Sequence, residues 1–407
     1  RDVSHRQGLR SHLRFDTSIT AASFSDQTGR WTLITDTGEQ YHANSVVWAV
    51  GQLHRPHLPH YPGQEAFGGR MFHTAEWHHS VDLTGDIAVI GTGSSAAQVV
   101  PHLARAARHL EVWQRTASWI LPKPASKFGP ITQLALSRAP ALHQLYRQAL
   151  YHGADRILTP IMTGGWSARP AQWAAAAHLR RHVPDPELRA RLTPDYRIGE
   201  KRILFDNGFY PALTRKNVDL VTDAIAEITP TGIRATDGTY HRADVIVWAT
   251  GFRASEFLAP VEIRGRDGAL LSHQWSEGAS AFLGLAVPGF PSMWILAGPN
   301  SFTPAGSNPV MKGFQTRYIT SAIQWRNQIG TAIEVSAHAM DTYTRWLESA
   351  MAKTIWPAGV HSWFKTASGK VTNPWPASIA MFDRMTRSDP KVAFQPVLPA
   401  AARSDVA

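Results

Sequence analysis

Residues 86–96 read Asp86-Ile87-Ala88-Val89-Ile90-Gly91-Thr92-Gly93-Ser94-Ser95-Ala96. Consecutive apolar residues closed by a glycine fit a short strand buried on both faces. Ser95–Arg108 follows with apolar residues at helical spacing and leads into Leu110–Gln114 (LEVWQ), a second short buried strand. The turn between strand and helix is GxGxxA. Its glycines let the backbone approach a pyrophosphate, and the helix N-terminus supplies free N–H groups and the positive end of a dipole. The strand–turn–helix–strand context is the one this pattern needs. Gly91, Thr92, Gly93, Ser94 and Ser95 are therefore expected to hold a dinucleotide, against the competing reading of a turn that is merely tight.

Working outward, Arg14–Phe24 and Arg30–Thr35 read as strands separated by the polar turn Ser25–Gly29. Ser45–Val50 is an apolar strand ending at Gly51, and a Pro/His-rich connector runs extended from Gln52 to Gly63. From about 125 to 195 the pattern changes. Ile131–Leu158 and Ala171–Leu192 are rich in Ala, Leu, Arg and Gln, broken by prolines and glycines into several helices, as in an inserted helical subdomain. Strand patterns return at Val218–Val221, Ile233–Thr236, Asp244–Thr250 (ending at Gly251) and Met293–Ala297 (ending at Gly298-Pro299-Asn300). Strands that end in small residues and alternate with helices argue an α/β fold. No tandem repeat is evident.

The 407 residues allow two or three domains, and 18% charged residues with 43% hydrophobic ones permit a large core. The 41 Lys and Arg against 31 Asp and Glu give a formal net charge of +10, but the basic residues read as scattered and no Lys/Arg-rich block stands out. Nucleic-acid binding is therefore not expected, and affinity for anionic cofactors accounts for the charge as well. The absence of cysteine excludes disulfides, thiolate-bound zinc, iron–sulfur clusters and a catalytic thiol. No apolar run approaches a membrane span of about 18 residues, no signal peptide opens the chain, and a cytoplasmic location is expected. The chain opens on Arg1, and Arg1–Arg14 reads as mid-domain sequence, so a chain whose front is missing is expected.

The strand after the glycine turn selects the nucleotide. An NAD site places an acid at its end to hold the ribose 2′-hydroxyl. Here the end reads Gln114-Arg115-Thr116, and the nearby Glu111 lies at the strand's beginning. A guanidinium beside a hydroxyl suits a 2′-phosphate, so NADP is favoured over NAD, with a surface arginine in a loop as the bland reading.

Phe67-Gly68-Gly69-Arg70-Met71-Phe72-His73-Thr74-Ala75-Glu76-Trp77 matches FxGxxxHxxxW just upstream of the glycine turn. In this the chain resembles the Baeyer–Villiger monooxygenases and their flavin-containing monooxygenase relatives. Trp48–Gly51, Ala249–Phe252, Gly199–Phe205 (GEKRILF), Pro288–Pro291, Gly298–Asn300, Ser362-Trp363-Phe364 and Gly369-Lys370 extend the resemblance from about residue 8 to 376. It implies two Rossmann-like dinucleotide-binding domains, for FAD and NADP, with a helical insertion in the second. The corresponding division is 1–83 for the remainder of the FAD domain and linker, 84–250 for the NADP domain with its insertion at 125–195, 251–376 for the returning FAD domain, and 377–407 for a tail. NADPH would reduce the flavin, O2 would add to it, and the resulting peroxyflavin would attack a ketone to give an ester or lactone.

By the same resemblance Arg202 would be the active-site arginine that stabilises the anionic species, and Lys201 would join Arg115 and Thr116 on the 2′-phosphate. Trp363 would hold the nicotinamide-side ribose, with a core role as its alternative. His73 would be a linker residue coupling domain orientation to turnover. Glu200, an acid beside both cations, is expected to weaken the local positive field. No GxGxxG precedes Gly91, so the FAD-side candidates are Ile19, Val50, Gly51, Asn308 and Pro309, which can border the ring systems but do not replace a phosphate cradle.

Three readings compete. His54, His57 and His60, spaced by three in the Pro-rich connector, could line one face of a polyproline II helix and take a metal. Carboxylates are sparse nearby, so a solvated connector and no metal are expected. Gly93-Ser94-Ser95 lacks the final glycine of a hydrolase's G-x-S-x-G. An N- or S-oxygenating relative, and an NADP-binding fragment without catalysis, stay open beside the ketone oxygenase. The substrate and the oligomeric state are not readable.

Overall fold

The computed structural model describes residues 2–124, 127–304 and 306–397. Its centre is a five-stranded parallel sheet in the order Val218–Val221, His109–Trp113, Asp86–Ile90, Val245–Trp248, Arg70–His73. All five residues of Asp86–Ile90 are buried, as a central parallel strand covered on both faces requires. Side chains alternate across it. Ile87 and Val89 pack with Ala96, Val100 and Leu103 of the Ser94–Ala106 helix, while Ala88 and Ile90 face a small antiparallel sheet of Ile225–Thr229, Gly232–Ala235 and Tyr240–Arg242. Each such aliphatic burial contributes about 1.5–3 kcal/mol. Asp86 is tolerated at the strand's entrance because Arg108 grips its carboxylate at 2.9 and 2.6 Å.

The other half is built on the same plan. A meander of Ile19–Ser25, Arg30–Thr35 and Gln40–Ala43 precedes the apolar strand Val46–Trp48, which pairs in parallel with Met293–Ile295. Val46–Trp48 ends near Gly51 at φ +72, as Val245–Trp248 ends near Gly251 at φ +85. The structure thus contains an internal repeat where the sequence shows none, because the repeat is one of topology and survives in sequence only as the paired WAVG and WATG endings. Val245–Trp248 has a strand on both sides; Val46–Trp48 has one on a single side among the described residues.

Two further differences matter. Arg70–His73, which the sequence reading groups with residues 1–83, is hydrogen-bonded into the five-stranded sheet and so belongs structurally with 84–250. The first strand begins at Ile19 rather than Arg14, since Asp16 has a positive φ of 52° that breaks the extended chain. The stretch from 125 to 195 holds the helices Pro130–Arg138, Pro140–Leu158, Ala168–His182 and Pro186–Arg191. Asp155, buried in the second of these, accepts from the Ile379 N–H at 2.8 Å and so caps the Ile379–Met385 helix from outside its own segment.

Candidate functional site

Gly91 leaves its strand at φ +115, and a Cβ there would lie 2.6 Å from the Ala249 carbonyl oxygen. Only glycine fits. Gly91→Ala is accordingly expected to cost about 3 kcal/mol or more of stability, read as a lower midpoint in urea unfolding; an unchanged midpoint would show the turn to be slack. Gly93 is the opposite case, with nothing within 4 Å of an added Cβ, so its backbone faces open space. It caps the Ser94–Ala106 helix with no side-chain hydrogen bond, and the hydroxyls of Ser94 and Ser95 make none among the described residues. Free N–H groups, two partly exposed hydroxyls and an open approach are the features an anion at a helix N-terminus uses.

Thr92 plays a different part from its neighbours. Its side chain is buried, and its Oγ1 donates to the Thr116 carbonyl oxygen at 3.0 Å. Ser118 Oγ returns a bond to the Thr92 carbonyl oxygen at 3.1 Å. These two bonds stitch the 115–118 loop across the glycine turn, so Thr92 positions Arg115 and Thr116 rather than presenting its hydroxyl to a ligand. Tyr196, missed in the sequence, extends this scaffold: its hydroxyl donates to the Ala117 carbonyl oxygen at 3.0 Å, and Lys201 Nζ lies 4.9 Å from the centre of its ring. Lys201 and Arg115 are thereby brought together. Burial lowers the pKa of Lys201, the charge of Arg115 lowers it further, and Asp195 and Glu200 act against both. Neither Lys201 nor Arg115 forms an ion pair among the described residues, so the pair leaves local positive charge at this edge of the glycine turn.

Glu200 offsets part of that charge, as expected, while its carboxylate is also anchored elsewhere. Its Oε2 accepts from the Val360 N–H at 3.1 Å, and Trp356 Nε1 donates to the Gly199 carbonyl oxygen at 3.0 Å. The 199–202 segment is thus docked against the C-terminal 356–364 stretch. Arg202, next along, has its guanidinium 5.5 Å from the centre of the Phe302 ring, and Phe302 meets Trp363 edge-on at 5.1 Å. More than a third of Arg202 is exposed, yet the protein around its guanidinium depresses its pKa through desolvation. It makes no hydrogen bond or ion pair among the described residues. Trp363 is partly buried in an aromatic cluster with Phe364 and Trp356, so the packing role weighed against a ribose contact is present here. Phe302, unforeseen in the sequence, joins Arg202 to Trp363.

On the FAD side, Val50 is 46% exposed and Gly51 has open space about it. Ile19 is half-buried at the start of its strand and packs beneath the core around Trp31 and Ile263. Asn308 Oδ1 accepts from the Thr303 N–H at 3.0 Å and its Nδ2 donates to the Thr303 carbonyl oxygen at 3.2 Å, so its amide is held against the preceding backbone. Pro309 lies in the first turn of the Asn308–Ile329 helix. These positions leave backbone and apolar surface for a ring system and offer no second glycine-rich cradle.

The FxGxxxHxxxW residues are packed into the fold, with His73 Nε2 buried and unpartnered among the described residues. A Cβ at Gly69 would strike the Asp244 carbonyl oxygen at 2.3 Å, and Trp77 packs edge-on to Phe72 at 5.1 Å. His73 is buried against Phe252; its Nδ1 accepts from the Ala75 N–H at 3.1 Å, and burial lowers its pKa. The connector histidines diverge: His54 Nδ1 contacts the Gly51 carbonyl oxygen at 2.7 Å, the main-chain N–H of His57 donates to the Gly251 carbonyl oxygen at 2.9 Å, and His60 Nδ1 lies 3.5 Å from Glu65 Oε1. Among the described residues no three His, Asp or Glu are placed to hold a metal, and no helix is long and apolar enough to cross a membrane.

Residues 2–156 match the Flavin-binding monooxygenase-like family. An uncharacterized monooxygenase of Mycobacterium tuberculosis is 36% identical over 380 residues, spanning 92% of this chain and 76% of its own length. A Baeyer–Villiger monooxygenase of Streptomyces coelicolor is 34% identical over 411 residues, spanning 98% and 78%. Among solved structures, an oxidized steroid monooxygenase bound to NADP superposes with a TM-score of 0.86 at 28% identity, covering 97% of this chain and 83% of that one. With the glycine turn, the paired strand endings and the Lys201-Arg202 segment all in place, this chain belongs to the family of flavin-dependent monooxygenases that includes the Baeyer–Villiger enzymes.

Proposed function

We propose that the protein is an NADPH- and FAD-dependent monooxygenase that inserts one atom of O2 into a ketone. Ketone, O2, NADPH and a proton give ester or lactone, NADP+ and water. The observation that carries the ketone reading is Arg202, a guanidinium with no ion pair among the described residues, held over Phe302 beside Trp363. A fixed cation in a partly desolvated aromatic setting stabilises negative charge developing next to it and has no proton to lose. Oxidation of an amine or sulfide by simple nucleophilic attack makes less use of such a group.

NADP fits the residues present. Gly91, Gly93, Ser94 and Ser95 would cradle its pyrophosphate, while Arg115, Lys201 and Thr116 would hold the 2′-phosphate, with Thr92 fixing the loop that carries two of them. Trp363 would border the nicotinamide-side ribose. FAD supplies the oxygen-activating chemistry when bound; Val50 and Gly51 would border it, with Ile19 and Pro309 behind, and Asn308 would act only through the 303–308 loop. The protein's own part is to orient the two nucleotides and to hold the Arg202 guanidinium over Phe302.

The test is to incubate the protein with excess FAD, wash it, record the flavin absorbance, and supply NADPH, 18O2 and a panel of ketones, sulfides and amines. Retained flavin and one 18O atom in an ester or lactone are expected. Retained flavin with sulfoxide or N-oxide as the sole product would move the reading to the heteroatom branch. A flavin-loaded protein that oxygenates none of them would end it.

A further inference from the structure

The helical insertion wears its apolar side outward. In the Pro140–Leu158 helix, Tyr151 and Leu158 pack on the body of the protein and Asp155 is buried there. At 100° per residue the opposite side carries Leu142, Leu145, Tyr146, Ala149 and Ile157, and all of these are exposed, Leu145 to 64%. The preceding helix, Pro130–Arg138, buries none of its residues and exposes Ile131 to 85% and Leu134 to 51%. Phe128 meets Tyr146 edge-on at 5.9 Å, which joins the two helices into one patch. Trp166 and Trp173, at 69% and 70% exposed, lie farther along the same insertion. A helix in water turns such a stripe inward, so a stripe of this size turned outward marks a docking surface.

Its charge says what it docks on. Between residues 121 and 183 there are eight Lys and Arg (123, 127, 138, 147, 156, 169, 180 and 181) and one acid, Asp155, so the segment carries +7 of the chain's +10. The basic residues are scattered here as elsewhere; the segment stands out because a single acid offsets them. All eight cations are exposed, none forms an ion pair among the described residues, and the single acid is buried as a helix cap. A second copy docked about a two-fold axis would bring +7 against +7. An acidic, apolar-cored surface satisfies both features.

We propose that the insertion is an interfacial anchor, seating its Ile131–Leu134 and Leu142–Tyr146 face in the headgroup region of an anionic lipid bilayer without spanning it. Exposed apolar residues among unpaired cations are the composition of helices that lie in the membrane plane. Arg138, at the end of the first helix, and Arg156, on the outward side of the second, would meet lipid phosphates.

The experiment is sedimentation of the protein with vesicles of phosphatidylcholine alone or with about 30 mol% phosphatidylglycerol, at low and high salt. Binding to the anionic vesicles roughly tenfold or more above the neutral ones, and weakened by salt, is expected from several cations at a charged surface. Leu145→Glu with Ile131→Glu, at positions too exposed to disturb the core, should abolish it while leaving the thermal midpoint unchanged; Arg138→Glu with Arg156→Glu should remove the lipid preference. No binding to anionic vesicles at low salt overturns the proposal, as does binding that survives the Leu145/Ile131 double substitution. A dimer in light scattering that Leu145→Glu dissolves, without vesicle binding, would assign the face to a second copy instead.

Discussion

Replacing Arg202 with alanine leaves NADPH oxidation running and lowers oxygenated product by about a hundredfold or more, the range found when one preorganised donor to a developing anion is removed. The expectation rests on what Arg202 does not do. It makes no hydrogen bond and no ion pair among the described residues, and its only aromatic partner is Phe302 at 5.5 Å. Removing it therefore costs the fold about 0.5–1 kcal/mol of cation–π contact. The effect falls on the reaction. NADPH and O2 still combine, and their electrons leave as hydrogen peroxide when the product is not formed. The measurement is product and peroxide per NADPH consumed. Arg202→Lys keeps the charge but loses the planar guanidinium that lies over the ring, so it should recover part of the yield. A product-to-NADPH ratio unchanged in the alanine variant would remove Arg202 from the chemistry.

The parts of this molecule legible in its sequence are those where one local constraint dominates. Asp86–Ile90 and Val218–Val221 carry their burial in their composition, and the observed strands have the bounds read for them. Gly91 announces its turn because no other residue tolerates both its φ and the approach of Ala249. Contacts between distant segments left no such trace. Phe302 beneath Arg202, Tyr196 beneath Lys201 and Asp155 over the Ile379–Met385 helix each join segments about five to over two hundred residues apart, and none sits in a pattern that periodicity detects. The role of Thr92 was hidden for a related reason: a hydroxyl in a glycine turn looks ligand-facing until the 115–118 loop is seen folding over it. Asn308 likewise carries a ligand-like amide whose partner, the Thr303 backbone, appears only once the chain bends back. The outward face of the insertion escaped because its pattern is that of an ordinary amphipathic helix, and sequence does not say which side meets water.

Arg115→Ala raises the KM for NADPH by about tenfold and leaves that for NADH nearly unchanged, and Arg115→Ala with Lys201→Ala raises the former by about a hundredfold. A charge-assisted hydrogen bond contributes about 1.5–3 kcal/mol, and each 1.4 kcal/mol is a factor of ten; the exposed Arg115 takes the lower end of that range. NADH has no 2′-phosphate to lose, so the ratio of the two KM values isolates these contacts from any general loosening of the glycine turn. The pH dependence of that ratio separates the two cations. NADPH preference should grow as pH rises past about 6, where the phosphate takes its second charge. It should fall again at higher pH as Lys201 gives up its proton, earlier than an ordinary lysine because burial and Arg115 both depress its pKa. Lys201→Arg keeps its charge across the range and should abolish the alkaline fall while preserving the acid rise. An alkaline fall that persists in Lys201→Arg would show that some other group carries it, and equal KM changes for both nucleotides in the double variant would take the 2′-phosphate away from this pair altogether.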